Sequence, residues 1–185
     1  MTRTLVAFSS VDGHTQMICE RLRRLLEEQG HRVTLLPVEE AIAVDCAGFG
    51  TIVVGASIRY GRHRPSVLSF VQRHRAVLDR VPCAFFTVNA VARKPGKDTP
   101  AGNPYYRKFV RIADWSPALG AAFGGKIDYA RYGLVDRLMI RFIMWLTNGP
   151  TDPKAVVEFT DWNAVDAFAL QLCSLRAPPQ LRLRD

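Results

Sequence analysis

The sequence has no long hydrophobic run and no cysteine pair at metal-ligand spacing. Its four cysteines are scattered along 185 residues, with neither a C-x-x-C pair nor a histidine at ligand spacing: Cys19, Cys46, Cys83 and Cys173. This distribution is typical of buried thiols in a reducing compartment, and we expect no metal site. The N-terminus lacks a positively charged segment followed by an apolar region and a small-residue cleavage site, so we expect a cytoplasmic protein that is not exported.

Acidic residues are also few. The chain has 17 Asp and Glu against 25 Lys and Arg, which gives a formal net charge of +8 and a pI of about 9.7. This balance favours anionic partners such as nucleic acid, an acidic membrane surface or polyacidic small molecules. The length and the 48% hydrophobic content suit one domain and are too small for two. We predict a single domain at 1–176 and a C-terminal tail at 177–185.

The first apolar strand runs into a turn rich in hydroxyl groups and then into a helix. The turn and the start of the helix carry Ser9, Ser10, Asp12, Gly13, His14, Thr15 and Gln16. Backbone N–H groups and hydroxyls at a helix N-terminus favour a phosphate. The spacing matches neither G-x-x-x-x-G-K-[ST] nor G-x-G-x-x-G, which argues against nucleoside-triphosphate and dinucleotide sites.

This turn resembles the flavodoxin fingerprint, an aromatic residue followed by x-[ST]-x-x-G-x-T, which implies FMN as the cofactor. The matching residues are Phe8, Ser10, Gly13 and Thr15. Short motifs also match by chance, and the alternative is an ordinary strand-turn-helix capped by Ser10 or Asp12. Asp12 itself suits a turn or cap position better than direct contact with an anionic phosphate.

The hydrophobic periodicity alternates between strand and helix along the chain. Strands are predicted at 3–8, 31–36, 51–55, 83–88 and 118–123, and helices at 16–29, 65–78, 104–113 and 161–175. This alternation indicates an α/β fold with a parallel sheet covered by helices on both sides. The resemblance to flavodoxins implies a doubly wound, five-stranded sheet of order 2-1-3-4-5. Ligands of such sheets bind at the carboxyl ends of the strands, where the strand order reverses. The loops after the third and fourth strands would therefore add Ser57, Ile58, Arg59, Tyr60, Gly61, Asn89 and Ala90 to the cofactor site.

Residues 126–150 form an insert after the fifth strand and contain an amphipathic helix. At about 14–17 residues and with charges throughout, this helix is too short to span a bilayer, which needs about 20 apolar residues. It can lie on a membrane surface, which we expect Leu138, Phe142 and Trp145 to contact. The alternative is that it packs on the domain or forms the interface of a homo-oligomer.

Several segments together resemble the family of bacterial quinone-dependent protoporphyrinogen IX dehydrogenases. These segments are Ser57-Ile-Arg-Tyr-Gly61, Asn89-Ala-Val-Ala-Arg-Lys-Pro95, Tyr106-Arg-Lys-Phe109, Asp136-Arg137 and Thr160-Asp-Trp162. The resemblance implies an FMN enzyme of haem biosynthesis that takes six electrons from protoporphyrinogen IX in three two-electron steps. It also implies a membrane quinone, menaquinone or ubiquinone, as acceptor, and peripheral association with the cytoplasmic face of the inner membrane. The hydride acceptor would be FMN itself, so no catalytic side chain is assigned.

The roles of single residues remain open from sequence. Tyr60 stacks on the flavin or simply packs at a strand end. Arg59, Arg93 and Lys94 are the candidates for binding the substrate propionates, although surface charges are more often only solvated. His14 and His63 suit hydrogen bonding better than proton transfer.

Three other functions compete with this interpretation. A flavodoxin-fold NAD(P)H:quinone oxidoreductase would need a nicotinamide site, for which the sequence has no fingerprint. A flavodoxin-type electron carrier is expected to be acidic, which the charge of +8 opposes. A nucleic-acid-binding module would need exposed aromatic residues along a basic face, whereas most aromatics here fall in strands and on inward helix faces, so no nucleic-acid partner is expected.

Overall fold

Five parallel strands form the central sheet of the computed structural model, which describes residues 1–129, 133–146, 149, 151–152 and 156–176. The strands are β1 (Arg3–Ser9), β2 (Arg32–Pro37), β3 (Thr51–Ser57), β4 (Cys83–Asn89) and β5 (Leu119–Gly124). Their order is β2-β1-β3-β4-β5, and every neighbouring pair is parallel. The predicted order 2-1-3-4-5 is therefore confirmed. The three central strands are buried on both faces, which explains their unbroken apolar runs.

Helices cover both faces of the sheet. They are α1 (His14–Glu28), α2 (Val38–Ala41), α3 (Pro65–Arg73), α4 (Arg75–Leu78), α5 (Pro104–Ala113), α6 (Leu134–Leu146) and α7 (Trp162–Cys173). Helices α1 and α7 pack on one face, and α2 to α5 pack on the other. The predicted helix at 65–78 is interrupted at His74, whose ring Nε2 lies 3.2 Å from the carbonyl oxygen of Ile42. The apolar spacing continues across this break, so the sequence did not reveal it.

The sheet order reverses between β1 and β3, and the strands on either side end at the same level. Ser9 pairs with Ala56, Ser57 with Val88, and Asn89 with Gly124. The loops that follow β1, β3 and β4 consequently leave the sheet side by side. They meet at the edge where doubly wound sheets bind their ligands.

The insert after β5 is held by a small ribbon that sequence analysis missed. Strands β6 (Lys126–Asp128) and β7 (Val156–Glu158) pair antiparallel on either side of α6, so the ribbon carries the insertion beyond the predicted limit of 150. Three-residue strands are too short to show a detectable alternation. A separate apolar cluster of Ile127, Tyr129 and Met144 joins the ribbon to α6.

Two arginines fasten α6 to the rest of the insert. Arg137 donates from Nε to the carbonyl oxygen of Tyr129 at 3.0 Å, and Arg141 donates from Nε to that of Thr151 at 2.9 Å. None of the helices in the described ranges has the length and apolar composition needed to cross a membrane. The predicted tail at 177–185 lies outside the described residues.

Candidate functional site

A cavity of about 180 Å³ opens where the loops after β1, β3 and β4 meet. Most of the predicted cofactor residues line it: Ser10, Asp12, His14, Thr15, Ser57, Ile58, Arg59, Tyr60, Gly61, Asn89 and Ala90. Gly13 and Gln16 instead line a neighbouring groove, which Ser10 shares, while Ser9 is buried beneath the turn. The structure thus brings the three predicted loops together at one place.

The turn after β1 holds several buried polar atoms that have no hydrogen-bond partner in the described part of the chain. These atoms are Ser9 Oγ, Ser10 Oγ, Thr15 Oγ1 and His14 Nδ1. A buried hydroxyl without a partner costs roughly 1–3 kcal/mol, so their concentration in one turn requires an explanation. A ligand with several acceptor oxygens at this position would supply the partners that the protein lacks.

The capping alternative for this turn is wrong. Helix α1 begins after Gly13, which has a φ of 83°, and no side chain caps it. Ser10 Oγ is one of the unpartnered atoms, and the Asp12 carboxylate accepts a hydrogen bond from Arg59 Nη1 at 3.1 Å. The hydroxyls and the first N–H groups of α1, which have no intrahelical acceptor, therefore suit a phosphate.

The loop after β3 is a tight two-residue turn whose first central residue is Tyr60. Arg59 and Arg62 exchange backbone hydrogen bonds of 3.0 and 3.2 Å, with Tyr60 at a φ of 50° and Gly61 at 74°. Two positive φ values define a type I′ turn, which favours Asn or Gly over Tyr at its first central position. The Tyr60 side chain is 54% exposed at the cavity, so its burial does not explain its presence.

The loop after β4 is fixed by paired amides. Asn89 Oδ1 accepts from the backbone N–H of Ala92 at 3.0 Å and from Asn103 Nδ2 at 3.2 Å. Asn103 Oδ1 in turn caps α5 by accepting from the N–H groups of Tyr105 and Tyr106. Asn89 lines the cavity, but its side chain also holds the short helical turn Ala90–Arg93 in place.

His63 lies behind these loops rather than in the cavity lining. Its ring packs edge-on against Phe85 and Phe109, and its Nε2 lies 3.0 Å from Thr87 Oγ1. Burial lowers its pKa to about 4, so the ring is neutral at ordinary pH. This geometry supports the hydrogen-bonding interpretation of His63.

His14 has a partner that the sequence did not assign to the site. Its Nε2 lies 2.6 Å from Thr160 Oγ1, and the Thr160 hydroxyl donates to the carbonyl oxygen of Gly124 at 2.8 Å. Burial lowers the pKa of His14, partly offset by Glu158. Thr160 follows 146 residues later in the chain, and local spacing carries no signal for such a contact.

The basic residues proposed for substrate binding occupy different places. Arg93 lines the cavity, donates from Nη1 to the carbonyl oxygen of Ala90 at 2.6 Å and lies over the Phe159 ring. Arg59 also lines the cavity, beside Asp12. Lys94 is not among the lining residues. The positions of Arg93 and Arg59 keep them as candidates, whereas that of Lys94 weakens its case.

The insert forms the opposite wall of the cavity. The lining residues from the insert are Lys126, Ile127, Met139, Ile140 and Met144. Another face of α6 is strongly exposed, with Leu138 at 65%, Phe142 at 58% and Trp145 at 66%. Helix α6 therefore presents one apolar face to the cavity and another away from it.

The sheet order and the polar turn at its switch point define the chain as a flavodoxin-like, flavin-binding protein. The flavodoxin domain family matches residues 5–154. A flavodoxin from the domain Archaea superposes with a TM-score of 0.53 at 14% identity, covering 93% of this chain and 96% of the other. An NADH:FMN oxidoreductase in its apo form superposes with a TM-score of 0.57 at 8% identity, covering 98% and 94%. At such identities the structural likeness shows the fold alone.

Sequence relatives narrow this class. A protoporphyrinogen IX dehydrogenase [quinone] from Escherichia coli K12 is 38% identical over 180 residues, covering 97% of this chain and 99% of the relative. A Leishmania major protein of the same name is 37% identical over 181 residues, covering 96% and 78%. The chain belongs to the quinone-dependent protoporphyrinogen IX dehydrogenase family, and the predicted resemblance is confirmed.

Proposed function

We propose that this protein oxidises protoporphyrinogen IX to protoporphyrin IX with FMN as its cofactor and passes the electrons to a membrane quinone. The observation that carries this proposal is the 38% identity, which extends over 97% of the chain and so includes both the polar turn and the insert. The oxidation removes six electrons and six protons in three two-electron steps. Each step reduces one quinone to a quinol.

The polar turn fits the phosphate of FMN. Ser10 and Thr15 hydroxyls and the N–H groups at the start of α1 would hold its oxygens, because these buried hydroxyls have no partner within the described protein. Tyr60 and the start of the Ala90–Arg93 turn would border the isoalloxazine ring. The bound flavin supplies hydride acceptance, a chemistry that side chains lack. The turn offers a site for one terminal phosphate, which favours FMN over FAD.

The opposite wall suits a tetrapyrrole. Met139, Ile140 and Met144 provide an apolar surface for the macrocycle, and Arg93 lies within the same cavity for a propionate. Burial partly desolvates the Arg93 guanidinium and so lowers its pKa, and a partly desolvated guanidinium attracts a carboxylate more strongly than a fully solvated one.

The outward face of α6 would rest on an anionic membrane surface. The chain carries a net charge of +8, and the proposed quinone acceptor dissolves in lipid. Leu138, Phe142 and Trp145 are all more than half exposed, and burying each in the interface contributes ~1.5–3 kcal/mol. Three such side chains suffice for reversible association at the cytoplasmic face of the inner membrane.

An anaerobic assay tests the activity. The FMN-loaded protein is mixed with protoporphyrinogen IX and a quinone, and separately with NADPH and the same quinone. We expect porphyrin fluorescence to develop in the first mixture and no quinone reduction in the second. The reverse result would replace our proposal with an NAD(P)H:quinone oxidoreductase, and failure to retain FMN would reject the flavoprotein proposal.

Vesicle binding tests the membrane contact. Replacing Leu138, Phe142 and Trp145 together by Ser should abolish co-sedimentation with anionic liposomes, while FMN stays bound. Leu170→Ser is the matched control, since Leu170 is 62% exposed on α7. Unchanged sedimentation of the triple variant would disprove the membrane contact, and a shift from dimer to monomer in light scattering would assign the face to a second copy of the chain.

A further inference from the structure

The hydrogen bonds around His14 determine which ring nitrogen carries the proton. A carbonyl oxygen can only accept a hydrogen bond, so the Thr160 hydroxyl must donate its single proton to the carbonyl oxygen of Gly124, 2.8 Å away. At the 2.6 Å contact with His14 the same oxygen must therefore accept, and His14 Nε2 must be the donor. The neutral ring is consequently the Nε2–H tautomer, with a bare lone pair on Nδ1.

The lone pair on Nδ1 is a hydrogen-bond acceptor, and it lies in the turn where the phosphate, also an acceptor, is proposed to bind. Nδ1 is buried without a partner in the described structure, in the same turn as the unpartnered hydroxyls of Ser10 and Thr15. A phosphate there presents acceptor oxygens, and two acceptors repel each other. Nδ1 can donate to the phosphate if it gains a proton while Nε2 keeps its own, which makes the ring an imidazolium.

We propose that His14 binds the FMN phosphate as an imidazolium, that cofactor binding therefore takes up one proton from solvent, and that Thr160 enforces this by holding Nε2–H. The inference deepens the proposed function because it rests on FMN binding at this turn. His14 is a cofactor-binding residue, and Thr160 is a positioning residue that acts through it.

The charges around the ring fix the sign of the effect. Glu158 on β7 raises the pKa of His14 and Lys126 on β6 lowers it, burial lowers it most, and the Asp12–Arg59 ion pair lies at the same turn. The phosphate anion raises the pKa in the complex. Proton uptake is then confined to the window between the low pKa of the FMN-free protein and the higher pKa of the complex, and affinity falls as pH rises through that window.

The dissociation constant of FMN as a function of pH tests the proposal. Serial dilution of the holoprotein between about pH 5.5 and 8.5, around the usual histidine pKa, releases FMN, whose recovered fluorescence gives Kd. One coupled proton makes the wild-type Kd rise by up to about tenfold per pH unit within the window. His14→Asn keeps an amide donor near the Nδ1 position without titrating, so its Kd should rise less steeply. Ionisation of free FMN is common to both proteins and cancels in the comparison.

Thr160→Val tests the positioning role. Without the acceptor for Nε2–H, the neutral ring can carry its proton on Nδ1 and donate to the phosphate, so the pH dependence should fall to that of His14→Asn. Thr160→Ser keeps the hydroxyl and should retain the wild-type slope. Nitrogen NMR of the wild-type holoprotein should show both His14 nitrogens protonated at about pH 7, near its usual pKa.

Each outcome discriminates. Parallel slopes for wild type and His14→Asn, or a neutral His14 in the holoprotein, would overturn the imidazolium. A wild-type slope in Thr160→Val would overturn the role of Thr160. Absence of FMN from the wild-type protein would overturn the proposed function as well, whereas FMN binding with the same pH dependence in wild type and His14→Asn would overturn this inference alone.

Discussion

The turn conformation and the proposed flavin contact favour different residues at position 60: the turn favours Asn or Gly, and the flavin contact favours the aromatic ring of Tyr60. The residue sits at a φ of 50° in a type I′ turn, followed by Gly61 at 74°. Gly adopts this conformation freely and Asn and Asp adopt it readily, whereas for other residues it costs about 1–2 kcal/mol of conformational free energy. Tyr60→Asn places the preferred residue before Gly61, and Tyr60→Ala removes the ring without easing the backbone.

The two variants should differ mainly in stability. The Tyr60 ring is 54% exposed, and its contact with the Arg59 guanidinium, 5.3 Å from the ring centroid, is worth about 0.5–1 kcal/mol at an exposed site. Both variants lose that contact, so we expect Tyr60→Asn to be about 1 kcal/mol more stable than Tyr60→Ala. In a domain of this size the difference corresponds to roughly 2–4 °C in Tm.

Cofactor affinity should move differently from stability. If Tyr60 borders the flavin, both variants lose an aromatic contact and bind FMN about tenfold more weakly, ~1.4 kcal/mol. Urea unfolding of the FMN-free proteins and fluorescence titration with FMN measure the two quantities. Wild-type affinity in both variants would refute the flavin contact, and equal stability of the two would refute the turn argument.

Three further predictions concern the polar turn, the basic residues near the cavity and the histidine buried behind the loops. Thr15→Val keeps the volume of a side chain that is 1% exposed but removes its hydroxyl. Loss of a charge-assisted hydrogen bond of about 1.5–3 kcal/mol should raise the Kd for FMN by about 10–150-fold in a fluorescence titration. Wild-type affinity would mean that Thr15 does not bind the phosphate. Arg93→Gln should raise the KM for protoporphyrinogen in steady-state kinetics while FMN stays bound. Lys94 lies outside the cavity lining, so Lys94→Gln should leave that KM near the wild-type value. Equal effects of the two variants would contradict the assignment of Arg93 to propionate binding. Burial lowers the pKa of His63 to about 4, so the unfolded chain binds a proton at higher pH than the folded protein does. The free energy of unfolding should therefore fall by up to roughly 3 kcal/mol as pH drops from about 6.5 to about 4. His63→Gln should remove this fall from a series of urea-unfolding measurements, and an unchanged pH profile would exclude His63 as its source.

The strands of the sheet and the loops that line the cavity could be predicted from sequence because both depend on local patterns. Buried parallel strands such as Thr51–Ser57 need continuous apolar runs, and each is followed by a loop with distinctive polar residues. Once the strand order was inferred, the carboxyl-end rule brought the loops after β1, β3 and β4 together without any knowledge of their contacts.

The parts that escaped prediction depend on contacts between distant residues. His14 meets Thr160 across 146 positions, and Asn89 meets Asn103 from the start of another helix. Single polar residues at such separations have no periodicity, so the sequence could not distinguish an Asn that holds a loop from one that binds a flavin. The same limit applies to β6 and β7, which form through pairing across the insert.

The two faces of α6 connect the cavity to the proposed membrane contact. Met139 and Met144 line the cavity, while Leu138 and Trp145 point elsewhere and are 65% and 66% exposed. A helix with its side chains is about 10–12 Å across, so a bilayer that holds the exposed face lies within one helix diameter of the cavity wall. A lipid-dissolved quinone could then approach the flavin without crossing bulk water. The insert therefore accounts for how a flavodoxin-like domain, whose own loops line the proposed cofactor site, would serve a tetrapyrrole substrate and a lipid-dissolved acceptor at one opening.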